Sequence, residues 1–202
     1  MPKDIPHLPP PSPAWPGRCR PGLALLAAAA IPLAACAPRY HVAAGAPAAK
    51  VRLLTSTDDN TTFTVLDPAR CPETPHVVIL AGTGQQLAAL GPPQKLDIGG
   101  DSPEPPAHTR ERWLAAGKRL YIAAVSASSQ DGTKYRCAAG VSFVPLAGAE
   151  YQLRYWREAD AKACSILVTR LGTPARPDAP AEADPTQRAF RALKPAYLCD
   201  SL

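Results

Sequence analysis

The chain has 202 residues, a net charge of +5 at pH 7, 25 prolines and six cysteines. This length fits one domain of ordinary size with room for a sizeable core. The positive charge is mild and the Lys and Arg residues are scattered, whereas a nucleic-acid-binding protein carries a clustered basic face, so no nucleic-acid partner is predicted.

An apolar segment near the amino terminus has the parts of an export signal. Arg18 and Arg20 precede a run from Gly22 to Ala35, which ends in small residues. A cationic start, an apolar stretch and a small-residue cleavage site define such a signal. The run contains Pro32 and is shorter than the roughly 20 residues that span a bilayer. It also lacks the polar face of an amphipathic core helix. Residues 1–35 are therefore predicted to be a signal peptide.

The end of that run, Leu33-Ala34-Ala35-Cys36, resembles the lipobox of bacterial lipoproteins. The resemblance implies diacylglyceryl transfer to the Cys36 thiol, cleavage between Ala35 and Cys36, and acylation of the new amino terminus. Ala37 stands where an aspartate commonly signals inner-membrane retention, which implies delivery to the outer membrane, facing the periplasm. Residues 36–49 are small and punctuated by proline, and they predict a flexible tether between the lipid and the folded part.

Cys19 is expected to leave with the signal peptide, and Cys36 is expected to be lipidated. The four cysteines that remain are Cys71, Cys137, Cys164 and Cys199. An even number in an oxidising compartment predicts two disulfides. The absence of a Cys-x-x-Cys pattern argues against a zinc site or a thioredoxin-like motif. Three connectivities are open. We favour Cys71 with Cys137 and Cys164 with Cys199, because the second bridge would hold the end of the chain.

Short strands dominate the domain predicted over residues 50–171. Turn signals separate seven segments with strand character: 51–55, 62–66, 76–81, 120–125, 135–144, 151–155 and 164–169. The first two are expected to form a hairpin around Asp58-Asp59-Asn60. The apolar run 76–81 predicts a central strand covered on both faces. Alternation from Tyr151 to Tyr155 directs the odd-numbered residues to the core and the even-numbered ones to water.

The connecting segments are rich in proline and glycine. Residues 91–107 are expected to form a long exposed loop, in which 95–98 is a candidate for a short edge segment. Residues 110–116 fit either a helical turn or an extended approach to the next strand. In the Pro- and Ala-rich tail, 172–202, the composition of 172–185 predicts a linker, and 187–193 predicts a short helix.

This pattern predicts an all-β protein, an antiparallel, immunoglobulin-like β-sandwich of about seven strands. Beyond the lipobox, the chain is similar to small proteobacterial envelope lipoproteins. The matching features are a turn at Ala116-Gly117-Lys118, the stretch Phe143-Val144-Pro145 followed by Gly148 and Tyr151, and Cys164 in the next strand. The resemblance implies no reaction.

No catalytic, metal or cofactor site is predicted. His41, His76 and His108 are isolated, and no Gly-x-Ser-x-Gly sequence is present. Gly82-Thr83-Gly84 is followed by Leu87 where a phosphate-binding glycine pattern needs Gly, so it predicts a strand-ending turn. Asp58-Asp59-Asn60 lacks the alternation and the closing Glu of a calcium loop.

Two tryptophans are candidates for ligand contact. Trp113 stands beside Arg112, and Trp156 falls on the polar face of its strand near Arg154. Such aromatic side chains stack on sugar rings or contact partner proteins. Their burial under the long loop or the C-terminal segment is the alternative that we favour.

The expected function is therefore a non-enzymatic, outer-membrane-anchored lipoprotein with a structural or binding role. Its partners are the membrane, through Cys36, and an envelope protein or glycan. The alternatives are a carbohydrate- or peptidoglycan-binding module that uses Trp113 or Trp156, and an envelope enzyme.

Overall fold

A computed structural model describes residues 38–71, 75–84, 94–100, 102–130, 133–158, 163–172, 176 and 180–201. The predicted signal peptide, Ala35 and Cys36 lie outside the described residues. The strands are β1 (Ala48–Thr55), β2 (Asn60–Asp67), β3 (His76–Thr83), β4 (Thr109–Ala115), β5 (Leu120–Gln130), β6 (Thr133–Phe143), β7 (Glu150–Arg157), β8 (Cys164–Gly172), β9 (Glu182–Ala183) and β10 (Arg188–Phe190). Short 3₁₀ helices span Pro68–Arg70, Pro106–His108 and Pro195–Ser201. Within these ranges, no helix has the length and apolar character needed to cross a membrane.

Two five-stranded sheets pack face to face. Sheet 1 has the order β4-β1-β7-β8-β9, and sheet 2 has the order β10-β6-β5-β2-β3. Neighbouring strands are antiparallel except for β1 and β7, which run parallel from Lys50 opposite Glu150 to Thr55 opposite Tyr155. The predicted β-sandwich is confirmed, with ten strands instead of about seven.

The core lies between the sheets and is filled by every second residue of the inner strands. In β7, Tyr151, Leu153 and Tyr155 are fully buried, as the alternation predicted. The Tyr155 ring meets Phe63 of sheet 2 edge to face, with centroids 6.5 Å apart. Such aromatic pairs contribute beyond the area they bury, so they help to fix one sheet against the other.

Both predicted disulfides form, but the favoured pairing is wrong. The bridges are Cys71–Cys199 and Cys137–Cys164. Cys137 in β6 and Cys164 at the start of β8 belong to different sheets, and their Cα atoms lie 5.9 Å apart across the sandwich. Cys71 follows the 3₁₀ helix after β2 and meets the last 3₁₀ helix of the chain. A bridge still holds the end of the chain, but its partner is the more distant Cys71.

The predicted hairpin between the first two strands does not form. β1 lies in sheet 1 between β4 and β7, whereas β2 lies in sheet 2 between β3 and β5. Both edges of each strand are thus occupied, and residues 56–59 carry the chain from one sheet to the other. β3 is an edge strand and not the central strand predicted, since β2 is its only partner strand in the sheet order.

The segments left open or predicted as coil contribute the additional strands. Residues 110–116 are mostly extended, within β4. The short helix predicted at 187–193 is wrong, because Arg188–Phe190 pairs with the free edge of β6. Phe190 lies opposite Gly140, where a Cβ atom would stand 2.7 Å from the Phe190 ring. Glycine at 140 therefore leaves the space that this ring fills.

Each sheet has an outer face that another segment crosses. The C-terminal segment, residues 188–201, covers sheet 2, where Ala192 and Leu198 are buried against Leu66 and Ala123. The β3–β4 loop, described over 94–100 and 102–108, lies on sheet 1. The prediction of a fully exposed loop is wrong at Ile98, which is only 5% exposed, and the described part of 95–98 forms no strand.

Candidate functional site

The outer face of sheet 1 gathers both candidate tryptophans. Lys50 of β1 pairs with Trp113 of β4 and with Glu150 of β7, so these three residues share one row of the sheet. The core-facing residues of β7 are Tyr151, Leu153 and Tyr155. Because side chains alternate along a strand, Trp156 emerges on the same outer face as Glu150.

The β3–β4 loop is held on this face by charged side chains. The Arg52 guanidinium, 5% exposed, donates to the carbonyl oxygens of Ile98 at 2.7 Å and Gly100 at 3.1 Å. The Glu150 carboxylate accepts from the Gly99 amide at 2.7 Å. Glu111 accepts from Arg52 and also from the Leu96 amide. The carbonyl of buried Ile98 needs such a partner, and these side chains together supply hydrogen bonds that a neighbouring strand would otherwise give.

A second set of contacts holds the far end of the loop. The Glu104 carboxylate accepts from Ser56 Oγ at 2.6 Å and from Arg154 at 3.4 Å. The loop is thus fixed over the middle of the face, while Trp113 and Trp156 lie towards opposite ends. Six residues along the strands separate their rows, which corresponds to about 20 Å. The two rings are too far apart to stack on one small ligand.

A groove of about 390 Å³ opens beside Trp113. Its walls are Trp113 and Arg112 of β4, Gln94 of the loop, and the segment that begins at Tyr40 and His41. Trp113 is 39% exposed, so its predicted burial is wrong. The described residues that line the groove include no carboxylate.

Arg112 is the charged group of this groove. Its guanidinium donates to the carbonyl oxygens of Leu80 at 3.1 Å and of Glu111 at 2.7 Å. Burial lowers the pKa of Arg112, and the nearby charges of Arg110 and Arg39 lower it further. Arg110 and Arg39 are therefore close enough to Arg112 to disfavour its charge, at the edge formed by β3 and β4.

A second groove, of about 410 Å³, lies beside Trp156. Its other lining residues are Ser56, Arg154, Arg157 and Leu167. Trp156 is half-buried, and Arg157 forms an ion pair with Asp59. Each tryptophan thus has an arginine beside it, although the two sites are separate.

The histidines do not come together. His41 lines the Trp113 groove, His76 is exposed at the start of β3, and His108 Nε2 lies 3.8 Å from an oxygen of Asp58. Over the described ranges, no group of three His, Cys, Asp or Glu side chains is placed to hold a metal ion. Gly82 and Thr83, predicted as part of a turn, belong to β3, and the strand stops just before Gly84, which has a φ of 93°.

Sequence reasoning missed the residues that anchor the loop and the part of the tether that joins the domain. Arg52 and Glu150 alternate with apolar residues, a pattern that also describes solvated side chains. In the predicted tether, Arg39 bridges Ile79 of β3, and the folded part extends back to Pro38. This segment binds to the edges of β3 and β4. Those edges exist only in the assembled sheets, so local composition does not reveal them.

Comparisons of this chain with models of protein families, with characterised proteins and with solved structures find no match.

Proposed function

We propose that this protein is a lipid-anchored envelope lipoprotein with a binding or structural role and no catalytic activity, on the periplasmic side of the outer membrane. The observation that carries the proposal is the sequence Leu33-Ala34-Ala35-Cys36 at the end of an apolar run that follows Arg18 and Arg20. Several acyl chains on one residue make membrane attachment effectively permanent, since each buried methylene contributes about 0.8 kcal/mol.

The disulfides support the compartment assigned here. All four cysteines after Cys36 are paired, in two bridges that join distant parts of the fold. Structural disulfides persist in exported proteins and are rare in a reducing cytosol. A chain with this pairing and no export signal would be unusual, so the two features support each other.

The test is incorporation of a labelled fatty acid in a bacterial host. Wild-type protein and Cys19→Ser, a matched control that removes a cysteine from the signal, are expected to take up label and to yield a mature chain that begins at acylated Cys36. Cys36→Ser is expected to take up none. Label in Cys36→Ser, or an unmodified Cys36 in the mature wild-type protein, contradicts the proposal.

A second candidate is binding of a glycan such as peptidoglycan. Two observations favour it: Trp113 is exposed beside Arg112, and Trp156 lines a groove with Arg154. An aromatic face suits a sugar ring, and a guanidinium suits a carboxylate on the same polymer.

Co-sedimentation with purified peptidoglycan tests this candidate. Trp113→Ala and Trp156→Ala are expected to weaken binding, and the double variant is expected to abolish it. Tyr135→Ala is the matched control, because Tyr135 is an aromatic side chain 48% exposed on the other sheet. Binding that survives the double substitution contradicts a role for the tryptophans.

A further inference from the structure

The segment that follows the predicted lipidation site is fixed to the sandwich almost at once. The Pro38 carbonyl accepts from the Ile79 amide at 2.9 Å, and the Tyr40 amide donates to the Ile79 carbonyl at 2.8 Å. Only Ala37 separates Cys36 from Pro38. Two residues of fully extended chain reach at most about 7 Å, so chain geometry keeps the predicted lipidation site within that distance of Pro38.

Further contacts hold the same segment against the edge of sheet 1. The Tyr40 hydroxyl accepts from the Ala115 amide at 2.9 Å, and the Pro47 carbonyl accepts from the Ala116 amide at 2.9 Å. Residues 38–47 are therefore bound to β3 at their start and to the end of β4 later on. This double attachment places Pro38, two residues after the predicted lipidation site, next to the edge that β3 and β4 form.

The chemistry of that edge fits a layer of lipid headgroups. Arg39 is exposed, Arg112 is partly exposed, and Trp113 is 39% exposed. Neither arginine forms an ion pair with a described carboxylate. Arginine binds phosphate through several donors, and tryptophan is enriched where a membrane meets water.

We infer that the edge formed by Arg39, Arg112 and Trp113 docks on the membrane that receives the Cys36 lipid. The arginines contact the phosphate groups of the headgroups, and the Trp113 ring lies at the level of the interface. The inference rests on the proposed lipidation of Cys36. It adds that the domain rests on the bilayer in one orientation, where a flexible tether of 14 residues would let it move freely.

The chain provides its own pair of probes. It has three tryptophans, and Trp15 lies in the segment predicted to be removed, so Trp113 and Trp156 remain in the mature protein. The row of Trp156 lies about 20 Å along the strands from that of Trp113, and two strands away. A quencher at headgroup depth is therefore expected to reach Trp113 and not Trp156.

The experiment uses the processed protein in vesicles of phosphatidylethanolamine and phosphatidylglycerol that contain a headgroup spin-labelled lipid. Trp156→Phe leaves Trp113 as the reporter, and Trp113→Phe leaves Trp156. Quenching of Trp113 is expected to exceed that of Trp156 by at least about twofold, as befits an interfacial tryptophan. In the Trp156→Phe background, Arg39→Gln with Arg112→Gln is expected to reduce the quenching, while the lipid keeps the protein on the vesicles.

The outcomes that overturn the inference are distinct from one another. Acylated protein on the vesicles with equal quenching of both tryptophans, or with quenching unaffected by the arginine substitutions, overturns the docking alone. Peptidoglycan fragments that shield Trp113 from a soluble quencher, where vesicles do not, assign the edge to a glycan and also overturn it. A mature chain whose mass shows no acyl group at Cys36 overturns the docking together with the proposed function.

Discussion

The outer faces of the two sheets are covered in opposite ways. On sheet 2, the C-terminal segment buries apolar side chains and is fixed by the Cys71–Cys199 disulfide. On sheet 1, the β3–β4 loop is fixed by hydrogen bonds of its backbone with the charged side chains of Arg52, Glu111 and Glu150. The C-terminal segment thus forms a small apolar core of its own against sheet 2. The β3–β4 loop is held on sheet 1 by polar contacts.

This difference leaves the two faces unequally accessible. Leu198 is completely buried beneath the C-terminal segment, so that part of sheet 2 is closed to a partner. The loop on sheet 1 fixes the middle of the face and leaves grooves of about 390 and 410 Å³ beside Trp113 and Trp156. Polar anchors hold a loop in place without burying its surroundings, which keeps aromatic side chains accessible.

The C-terminal segment and the β3–β4 loop should also differ in how they detach from their sheets. The C-terminal segment cannot detach from sheet 2 without exposing apolar surface to water, so its detachment lowers the stability of the whole domain. A polar loop that detaches exchanges its hydrogen bonds for water, and such openings occur locally, below the free energy of global unfolding. The following substitutions test this contrast, from the largest expected effect to the smallest.

Removal of the bridge in the double variant Cys71→Ser with Cys199→Ser is expected to have the largest effect. The bridge joins residues 128 apart, and a loop of that length corresponds to a loss of about 3 to 5 kcal/mol in the free energy of unfolding. Urea unfolding measures the loss. Hydrogen exchange should show that the C-terminal segment loses protection while the β3–β4 loop keeps it, and equal loss at both covers would contradict the contrast.

Truncation of the apolar cover by Leu198→Ala is expected to cost about 2 to 4 kcal/mol, because a fully buried leucine leaves a cavity. Leu193→Ala is the matched control in the same segment. Leu193 is 50% exposed, so its truncation should change stability by less than about 0.5 kcal/mol. Similar losses in the two variants, measured by urea unfolding, would show that the segment is not packed as described.

Loss of the central anchor in Arg52→Met is expected to cost about 1 to 3 kcal/mol, since the carbonyl groups of Ile98 and Gly100 lose a charged donor. The effect should be local. Amides of residues 96–100 are expected to exchange faster, with exchange in the C-terminal segment unchanged. Arg154→Met, at the half-exposed far anchor, should have a smaller effect. Faster exchange across both sheets would mean that the loop unfolds only with the whole domain.

Lowering the pH should weaken the attachment of the β3–β4 loop to sheet 1, because it protonates the Glu150 carboxylate. Burial raises the pKa of Glu150, but hydrogen bonds from Gly99 and Lys50 and the charge of Lys50 outweigh it, so the pKa lies below the ordinary 4.5. A carboxyl whose pKa is lowered by folding adds stability above its unfolded pKa and loses it as the pH falls through the folded value. Glu150→Gln should therefore cost about 1 kcal/mol at neutral pH, and this difference should shrink as the pH falls below the ordinary carboxyl pKa of 4.5.

Urea unfolding at neutral and acidic pH measures this difference, and Glu182→Gln is the control. Glu182 pairs with Arg170 away from the loop. Its substitution should leave the exchange of the Gly99 amide unchanged. A stability difference for Glu150→Gln that is equal at both pH values would contradict the role of the Glu150 charge.

Local periodicity was sufficient for some of these features. The alternation in β7 predicted both its buried tyrosines and the outward position of Trp156, and the turn residues predicted the sandwich. The errors concern partners that are far away in sequence. The neighbours of β1 are β4 and β7, which no local pattern identifies, and the partner of Cys71 is the last cysteine of the chain.

The candidate site was also predicted only in part. Trp113 and Trp156 were identified as aromatic side chains on polar stretches, which is a local property. Arg52 and Glu150 were not identified, because their partners are backbone groups of a loop whose path is set by the completed sheet. Residues 38–47 resembled a tether because small residues and proline give no indication of the strand edges that bind them.

The parallel pairing of β1 with β7 has a consequence for the order of assembly. Lys50 and Glu150, which face each other in this pair, are 100 residues apart. Sheet 1 therefore lacks its central strand, β7, until the chain beyond residue 150 is present. Contacts between residues so distant in sequence form slowly. A fragment that stops before β7 leaves β1 with an unsatisfied edge. Sheet 1 is thus assembled from strands at both ends of the domain, and its central pairing needs the chain up to Arg157.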